Sequence, residues 1–508
     1  MKNKAVFIIL LAASILRFWS LGSGDPISDE ATNAFRSLGL IDFDAAAAQP
    51  TPWEWLEERG ETPLPWWTHL SLHDHPLLTF YIEYISMRIF GETDFAYRLP
   101  AALFGIASVY LLYLLGRKLF GEGAGLISAA MMAVTANHVY ISRTGLQESY
   151  VIFFILLILF LFLKSLQDAK YFLYLGAAVG LGLLAKYTVF IAVLICLIYA
   201  AIYRRDIFKN KKFYIAVVLA IIVFSPSIIY NIMLYRTFGH FDFQISHILG
   251  DYPESWQIAP GKDIGTLGDR LRSLPINIAK TNSWLFLLLA ISGVFLSLSL
   301  RGLPRQSLIF LYIATGAILL LFLKIGATYR FLTMITPFLA LWVGVFLEEL
   351  YKKFERLPRR RLLAMTGVAA FFIFEIFYSL NSQVWNYPAG PMPWAYSNVR
   401  YENYNWGYNE LGAFLNKEFG ERAPALSFDA RYDFLNELKE KGIARAIAKG
   451  YPTLPATILY EGNFDFAAKL WYLDRLQIYH GWLVMSFRVY LAELGAKGDD
   501  YFSKLGFR

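Results

Sequence analysis

The chain has 508 residues, 56% hydrophobic and 17% charged, with a mean hydropathy of +0.42. That balance leaves too little polar surface to enclose a soluble core, so the bilayer is the main solvent. The net charge of +7 does not point to nucleic acid, because no stretch interleaves basic residues with an aromatic platform for unstacked bases.

Lys2 and Lys4 open an apolar run that continues through Leu16 to Arg17, Phe18 and Trp19. A cleaved leader ending near Ala12, Ala13 and Ser14 would have a very short hydrophobic core, whereas an interfacial Trp19 fits a retained first span. A membrane helix needs roughly 20 apolar residues, since hydrocarbon offers no partner to a free backbone N–H or C=O. Runs of that kind fall near 5–22, 95–116, 122–141, 149–167, 171–187, 188–204, 213–233, 283–300, 306–323, 331–350 and 362–380, predicting eleven spans.

Charge gives an independent check. Arg117/Lys118, Lys164/Lys170, the Arg204–Lys212 cluster, Arg301/Arg305 and the Lys352–Arg361 cluster all fall in alternate connections. The positive-inside rule places these and the N-terminus in the cytoplasm. Residues 23–94, 234–282 and everything after about 380 are then outside, with all seven histidines. The close spacing of 171–187 and 188–204 predicts a hairpin with Lys186 at its outer tip. One long helix kinked near Tyr187 is the alternative, but it would turn the Arg204–Lys212 cluster outward. Cys196 is the only cysteine, which excludes an intramolecular disulfide.

Beyond residue 380 the composition turns polar, with Asn386–Pro393 as a turn-rich linker. Short apolar runs (Ala425–Phe428, Thr457–Tyr460) alternate with helical patterns (Arg431–Lys449, Ala467–Ile478), which suggests a small extracytoplasmic α/β domain over 381–508 beside a membrane domain over 1–380. Without a Gly-rich phosphate loop or a metal-spaced cluster, it reads as an accessory or acceptor-docking domain.

Two loop motifs carry titratable groups. Ser28-Asp29-Glu30 opens an amphipathic pattern, as a capped helix with acids in its first turn or as a general base at the membrane surface. His73-Asp74-His75-Pro76 fits a functional site, for a metal or for an anionic group, as well as it fits a solvated loop.

These motifs recur with Arg98-Leu99-Pro100, Ser142-Arg143 followed by Glu148, Lys186, and Tyr329-Arg330-Phe331 with Pro337. In that order they resemble the protein mannosyltransferase and lipid A aminoarabinose transferase branch of the C-type integral-membrane glycosyltransferases, over roughly the first 350 residues. Leu77 stands where the family often has a second proline, and Glu148 where it usually has aspartate. The tail after 380 resembles no family named here, so the acceptor is not inherited from either relative.

The resemblance implies a mainly α, polytopic helical bundle of the C-type fold. It implies inverting transfer of a sugar from a polyprenyl-phosphate donor to a protein, lipid or glycan on the outer face of the plasma membrane. Asp29 is then the base with Glu30 beside it. His75, Arg143, Lys186 and Arg330 meet the donor phosphate, and Asp74, Glu148 and Tyr329 line the substrates. Asp74 and His247 match positions that suggest a metal, but two ligands are few for zinc, which takes three or four. The mannosyltransferase relatives need none, and no cofactor is expected. The rival reading is a lipid or solute transporter, which concentrates ionisable groups near the bilayer midplane. Here Glu375 is the main charge inside a span.

Overall fold

The computed structural model describes residues 2–26, 29–40, 60, 64–253, 256, 264–297, 303–354, 358–385, 387–399, 405–429 and 433–507. The chain divides into two compact units, Met1–Leu21 with Ala48–Tyr401, and Gly22–Ala47 with Glu402–Arg508.

In chain order the helices are α1 (Lys2–Phe18), α2 (Asp29–Ser37), α3 (Leu78–Phe90), α4 (Asp94–Phe120), α5 (Glu122–Val134), α6 (Ala136–Arg143), α7 (Glu148–Ser165), α8 (Tyr171–Ala185), α9 (Phe190–Tyr203), α10 (Lys211–Phe238), α11 (Phe243–Leu249), α12 (Leu267–Thr281), α13 (Trp284–Ser297), α14 (Arg305–Ile325), α15 (Tyr329–Leu332), α16 (Thr336–Phe354) and α17 (Pro358–Gln383). α18 (Tyr408–Phe419), α19 (Asp433–Ala448), α20 (Phe466–Ala468) and α21 (Arg475–His480) follow in the second unit. Each apolar run falls on helix, some of them on more than one. Among the described residues six helices are long and apolar enough to cross a membrane, seven if α5 and α6 form one span, with α8, α9 and α13 shorter.

The run expected at 122–141 as one helix is broken. α5 and α6 meet at Thr135 with a 59° bend, which frees the carbonyls that would have accepted bonds from the next turn. Side chains distant in sequence take them up. Arg17 donates to Ala133 O (2.9 Å) and Met132 O (3.3 Å), and Ser379 donates to Val134 O. Arg17 is fully buried and its Nη2 also lies 2.7 Å from His138 Nδ1. A bent backbone at membrane depth persists only where protein partners replace the lost bonds.

α8 and α9 form the expected hairpin. Phe172 at the start of α8 packs edge-on against Phe213, 6.1 Å between ring centroids, and Phe213 meets Phe208 just beyond α9 at 5.5 Å. α8 lies so close to α10 that a Cβ on Gly176 would fall 2.4 Å from Ala216 O, the small-residue contact that lets membrane helices pack tightly.

In the second unit, two short parallel strand pairs, β1 (Ala423–Pro424) with β2 (Thr453–Leu454) and β3 (Thr457–Tyr460) with β4 (Leu483–Ser486), sit among the helices. A π-helical turn over Lys469–Asp474 joins α20 to α21. Phe35 and Leu40, from α2 and the turn after it, share a buried cluster with Leu435, Leu470 and Ile478. The segment after α1 thus folds with the C-terminal part of the chain.

Candidate functional site

In the first unit Lys186 and Arg330 come together with Glu148 at the N-terminus of α7. Glu148 is its first residue, where the aligned peptide dipoles favour negative charge. Lys186 Nζ donates to Glu148 Oε1 at 2.6 Å, and the charges of Lys186 and Arg330 both act on this carboxylate. Lys186 Nζ and the Arg330 guanidinium each lie over the Phe331 ring, 5.4 Å and 5.1 Å from its centroid. Two cations thus meet one aromatic ring, and both act on the carboxylate of Glu148.

Local structure places each of these groups. Lys186 is a single extended residue (φ −167°, ψ 138°) between α8 and a 3₁₀ turn. Arg330 sits in the one-turn helix α15, tied by Thr333 Oγ1 donating to Arg330 O at 2.6 Å. α12 supports the approach to that turn, with Asn277 Nδ2 donating to Ala327 O at 3.0 Å. The hydroxyl of Tyr329 accepts from Asn398 Nδ2 at 2.9 Å, so Tyr329 is bound to the chain beyond α17.

The first turn of α3 reaches the same helix end. Gln147 Nε2 donates to Thr79 Oγ1 at 3.1 Å, three residues beyond Pro76. His75 Nδ1 stands 3.2 Å from Asp74 Oδ2, and the His75 carbonyl accepts from Leu72 N at 3.1 Å in a tight turn. His247 is exposed on α11. No group of three or more His, Cys, Asp or Glu able to hold a metal occurs among the described residues, so Asp74 and His247 find no third protein ligand there.

Arg143 is placed differently. Its Nη1 donates to Leu16 O, Arg17 O and Trp19 O at 3.0, 3.2 and 2.7 Å, and its Nη2 to Ser20 O at 3.3 Å. Arg98 donates to Leu21 O at 3.2 Å. These arginines satisfy carbonyls that the end of α1 leaves without helical partners. The alternative pairing of Arg143 with Glu148 is replaced by the Lys186–Glu148 pair.

Both arms of the hairpin line an apolar cavity of about 340 Å³. It separates the two arms of the hairpin, from Leu183 and Phe190 beside the tip to Phe172 and Ile207 at the far end, with α7 and α10 as its other walls. Along α8 the lining extends ~16 Å at 1.5 Å per residue.

Asp29 and Glu30 belong to the second unit and open α2. Asp29 is exposed and Glu30 fully buried, the divergence expected of neighbours about 100° apart on a helix. Ser28, expected to cap this helix, lies outside the described residues. Sequence reasoning missed Asp25. Its carboxylate is 2% exposed and accepts from Asn409 N at 2.9 Å and from Trp406 N, while Asn409 Nδ2 donates to Ser23 O at 3.0 Å. An acid directly before Pro26 is a usual turn residue, so the sequence carried no signal of a buried role.

Residues 74–230 match the family profile described as dolichyl-phosphate-mannose-protein mannosyltransferase. The chain is 30% identical over 190 residues to YkcB and 28% identical over 183 residues to YycA, both of Bacillus subtilis (strain 168) and both named as mannosyltransferases. Each match takes in 36% of this chain and spans only 24% of the relative's length. In fold the chain is similar to apo ArnT from Cupriavidus metallidurans, with a TM-score of 0.56 at 14% identity over 98% of this chain and 91% of that one. ArnT bound to undecaprenyl phosphate gives 0.54 at 13% identity, over 94% and 85%. The apo oligosaccharyltransferase of Archaeoglobus fulgidus gives 0.56 at 13% identity, over 96% and 64%. The resemblance read from the motifs is therefore present both in the family profile and in the fold, and the chain is a mostly helical, multi-pass membrane protein of the C-type fold.

Proposed function

We propose that the chain transfers a hexosyl or pentosyl unit from a polyprenyl-phosphate carrier to an acceptor hydroxyl on the extracytoplasmic face of the plasma membrane, with inversion at the anomeric carbon. The observation that carries this reading is Lys186, a cation that acts with Arg330 on Glu148 and stands in the chain between Leu183 and Phe190, which line a wholly apolar cavity. A lipid monophosphate has the complementary form, one anionic head on a long apolar chain. The profile match spans Asp74, His75, Arg143, Glu148 and Lys186, and ArnT, of similar fold, has been crystallised with undecaprenyl phosphate.

Lys186 and Arg330 then compensate the negative charge that grows on the departing phosphate, as fixed groups that need no reorganisation. His75 is a further donor to the same anion. Glu148 holds Lys186 in place, and Arg143 fixes the end of α1. Asp29 accepts the proton of the acceptor hydroxyl as its oxygen bonds to the anomeric carbon, while the carbon–oxygen bond to phosphate breaks with its electron pair going to the lipid phosphate.

The test supplies membranes carrying the intact chain or Asp29→Asn with labelled polyprenyl-phosphate hexoses and pentoses. Transfer by the intact chain and a loss of about 10²–10⁴-fold in the variant are expected. Movement of labelled lipid across the bilayer with no transferred sugar would establish a transporter instead. A C-terminal tag reachable by an impermeant reagent in intact cells is the accompanying expectation for topology.

A further inference from the structure

Asp242 takes no part in the scheme above, yet its surroundings are built around it. It is fully buried, and its carboxylate accepts from Tyr187 Oη at 2.7 Å, Asn231 Nδ2 at 2.9 Å and Ile245 N at 2.8 Å. Its own N–H donates to Asn231 Oδ1 at 2.8 Å. The donors come from three stretches of chain: the residue after Lys186, the buried interior of α10, and the first turn of α11. One residue on, Phe243 N donates to His73 O at 2.9 Å, two residues before His75.

A carboxylate in this position is costly unless every donor stays in place. Its bonds therefore favour one arrangement of the three stretches over any in which one has moved. Tyr187 is held at both ends, with its ring edge-on to Phe224 on α10 at 5.8 Å and its hydroxyl on Asp242. Lys186 is the single extended residue before it, so the anchor on Tyr187 sets where the Lys186 backbone lies. A shift of about 1 Å in a positioned group is enough to lose much of its effect.

We infer that Asp242 is a positioning residue for donor binding: through Tyr187 and the Phe243–His73 bond it clamps the hairpin tip and the His73–His75 segment to α10, and so fixes Lys186 where a lipid phosphate is held. This rests on the reading of Lys186 as a phosphate ligand. Asp242 acts through Lys186 and does not touch the lipid.

The experiment measures binding of undecaprenyl phosphate to the purified full chain in nanodiscs, with melting temperature read in parallel. The variants are Tyr187→Phe, Asp242→Asn, Lys186→Ala and each of the first two combined with Lys186→Ala. Tyr187→Phe deletes one hydroxyl, so it carries the test even where Asp242→Asn fails to fold. The expected result is weaker binding in Tyr187→Phe, by about fivefold or more, and no further loss when it is added to Lys186→Ala. Full-strength binding by Tyr187→Phe, or losses that multiply in the double variant, would overturn the clamp. If Lys186→Ala itself binds the lipid as tightly as the parent, the phosphate reading falls instead, so the two failures are distinguishable.

Discussion

Lys186 Nζ lies 2.6 Å from Glu148 Oε1, and the two side chains are 14% and 2% exposed. Removing one partner of a buried pair typically costs about 3–5 kcal/mol, because the other is left uncompensated. Here Lys186 is partly open to solvent and Arg330 also acts on Glu148. Lys186→Ala should therefore cost less, on the order of 1–3 kcal/mol. Lys186→Met with Glu148→Gln removes both charges and should recover most of the melting temperature without recovering lipid-phosphate binding. Recovery of both together would show that Lys186 is only structural.

Arg17 is predicted to be the residue whose loss is felt most in folding of the first unit. Its guanidinium donates to Ala13 O at 3.0 Å as well as to the two carbonyls at the Thr135 break. Arg17→Met leaves Ala13 O its helical bond but strands the two carbonyls at the break and His138 Nδ1, at about 1–3 kcal/mol for each buried acceptor left unsatisfied. Arg17→Lys should recover part of this, since one ammonium cannot reproduce the guanidinium fork. Thermal melting in detergent checks it, and a melting curve for Arg17→Met that overlays the parent would show that the bend stands without this support.

His240 gives a pH dependence. It is 6% exposed, its Nδ1 donates to Phe241 O at 2.7 Å, and its ring meets Trp256 edge-on at 5.0 Å. Burial holds its pKa below the usual histidine value. As the pH falls below about 6.5, the unfolded chain binds this proton before the folded one does. The stabilisation is therefore complete above that pH and is lost as pH falls toward the folded value. Melting temperature should drop between about pH 7 and pH 5, and His240→Gln should flatten the slope. An unchanged slope in the variant would assign the acid sensitivity to other groups.

The cavity between the hairpin arms predicts chain-length dependence. Val193→Trp fills space lined only by apolar side chains and leaves Lys186 untouched. Binding of undecaprenyl phosphate should weaken by about tenfold, equivalent to about 1.4 kcal/mol. Binding of a phosphate carrying a single isoprene unit should stay as it is. Equal weakening of both would mean that the substitution acts at the phosphate and the cavity holds no lipid.

The long apolar runs were legible because lipid imposes one backbone solution on them, and the hairpin carrying Lys186 followed from the close spacing of two such runs, with the Arg204–Lys212 charges deciding against one kinked helix. The break at Thr135 was not. Met131–Asn137 contains neither proline nor glycine, and the groups that support the bend, Arg17 and Ser379, are 116 and 245 residues from the carbonyls they reach. Pairing was equally hidden. Arg143 and Lys186 are both cations near helix ends, and only the packing of α1 decides that Arg143 meets carbonyls while Lys186 meets Glu148. Asp25 escaped notice because its partners lie 381 and 384 residues away.

The packing of Asp25, Phe35 and Leu40 with the C-terminal part of the chain bears on how topology is mapped. Reporter fusions to progressively shortened chains assume that each truncated product folds as its portion does in the whole. A fusion ending before residue 402 keeps α1 and the helices up to its own end, but it lacks Trp406 and Asn409, which bond Asp25. It also lacks Leu435, Leu470 and Ile478, which cover Phe35 and Leu40. Such a product leaves Asp25, Phe35 and Leu40 without these partners shortly after its first helix, in a segment prone to proteolysis. Insertion of reporters into the full-length chain avoids the artefact, and disagreement between the two kinds of map should concentrate at α1 and α3.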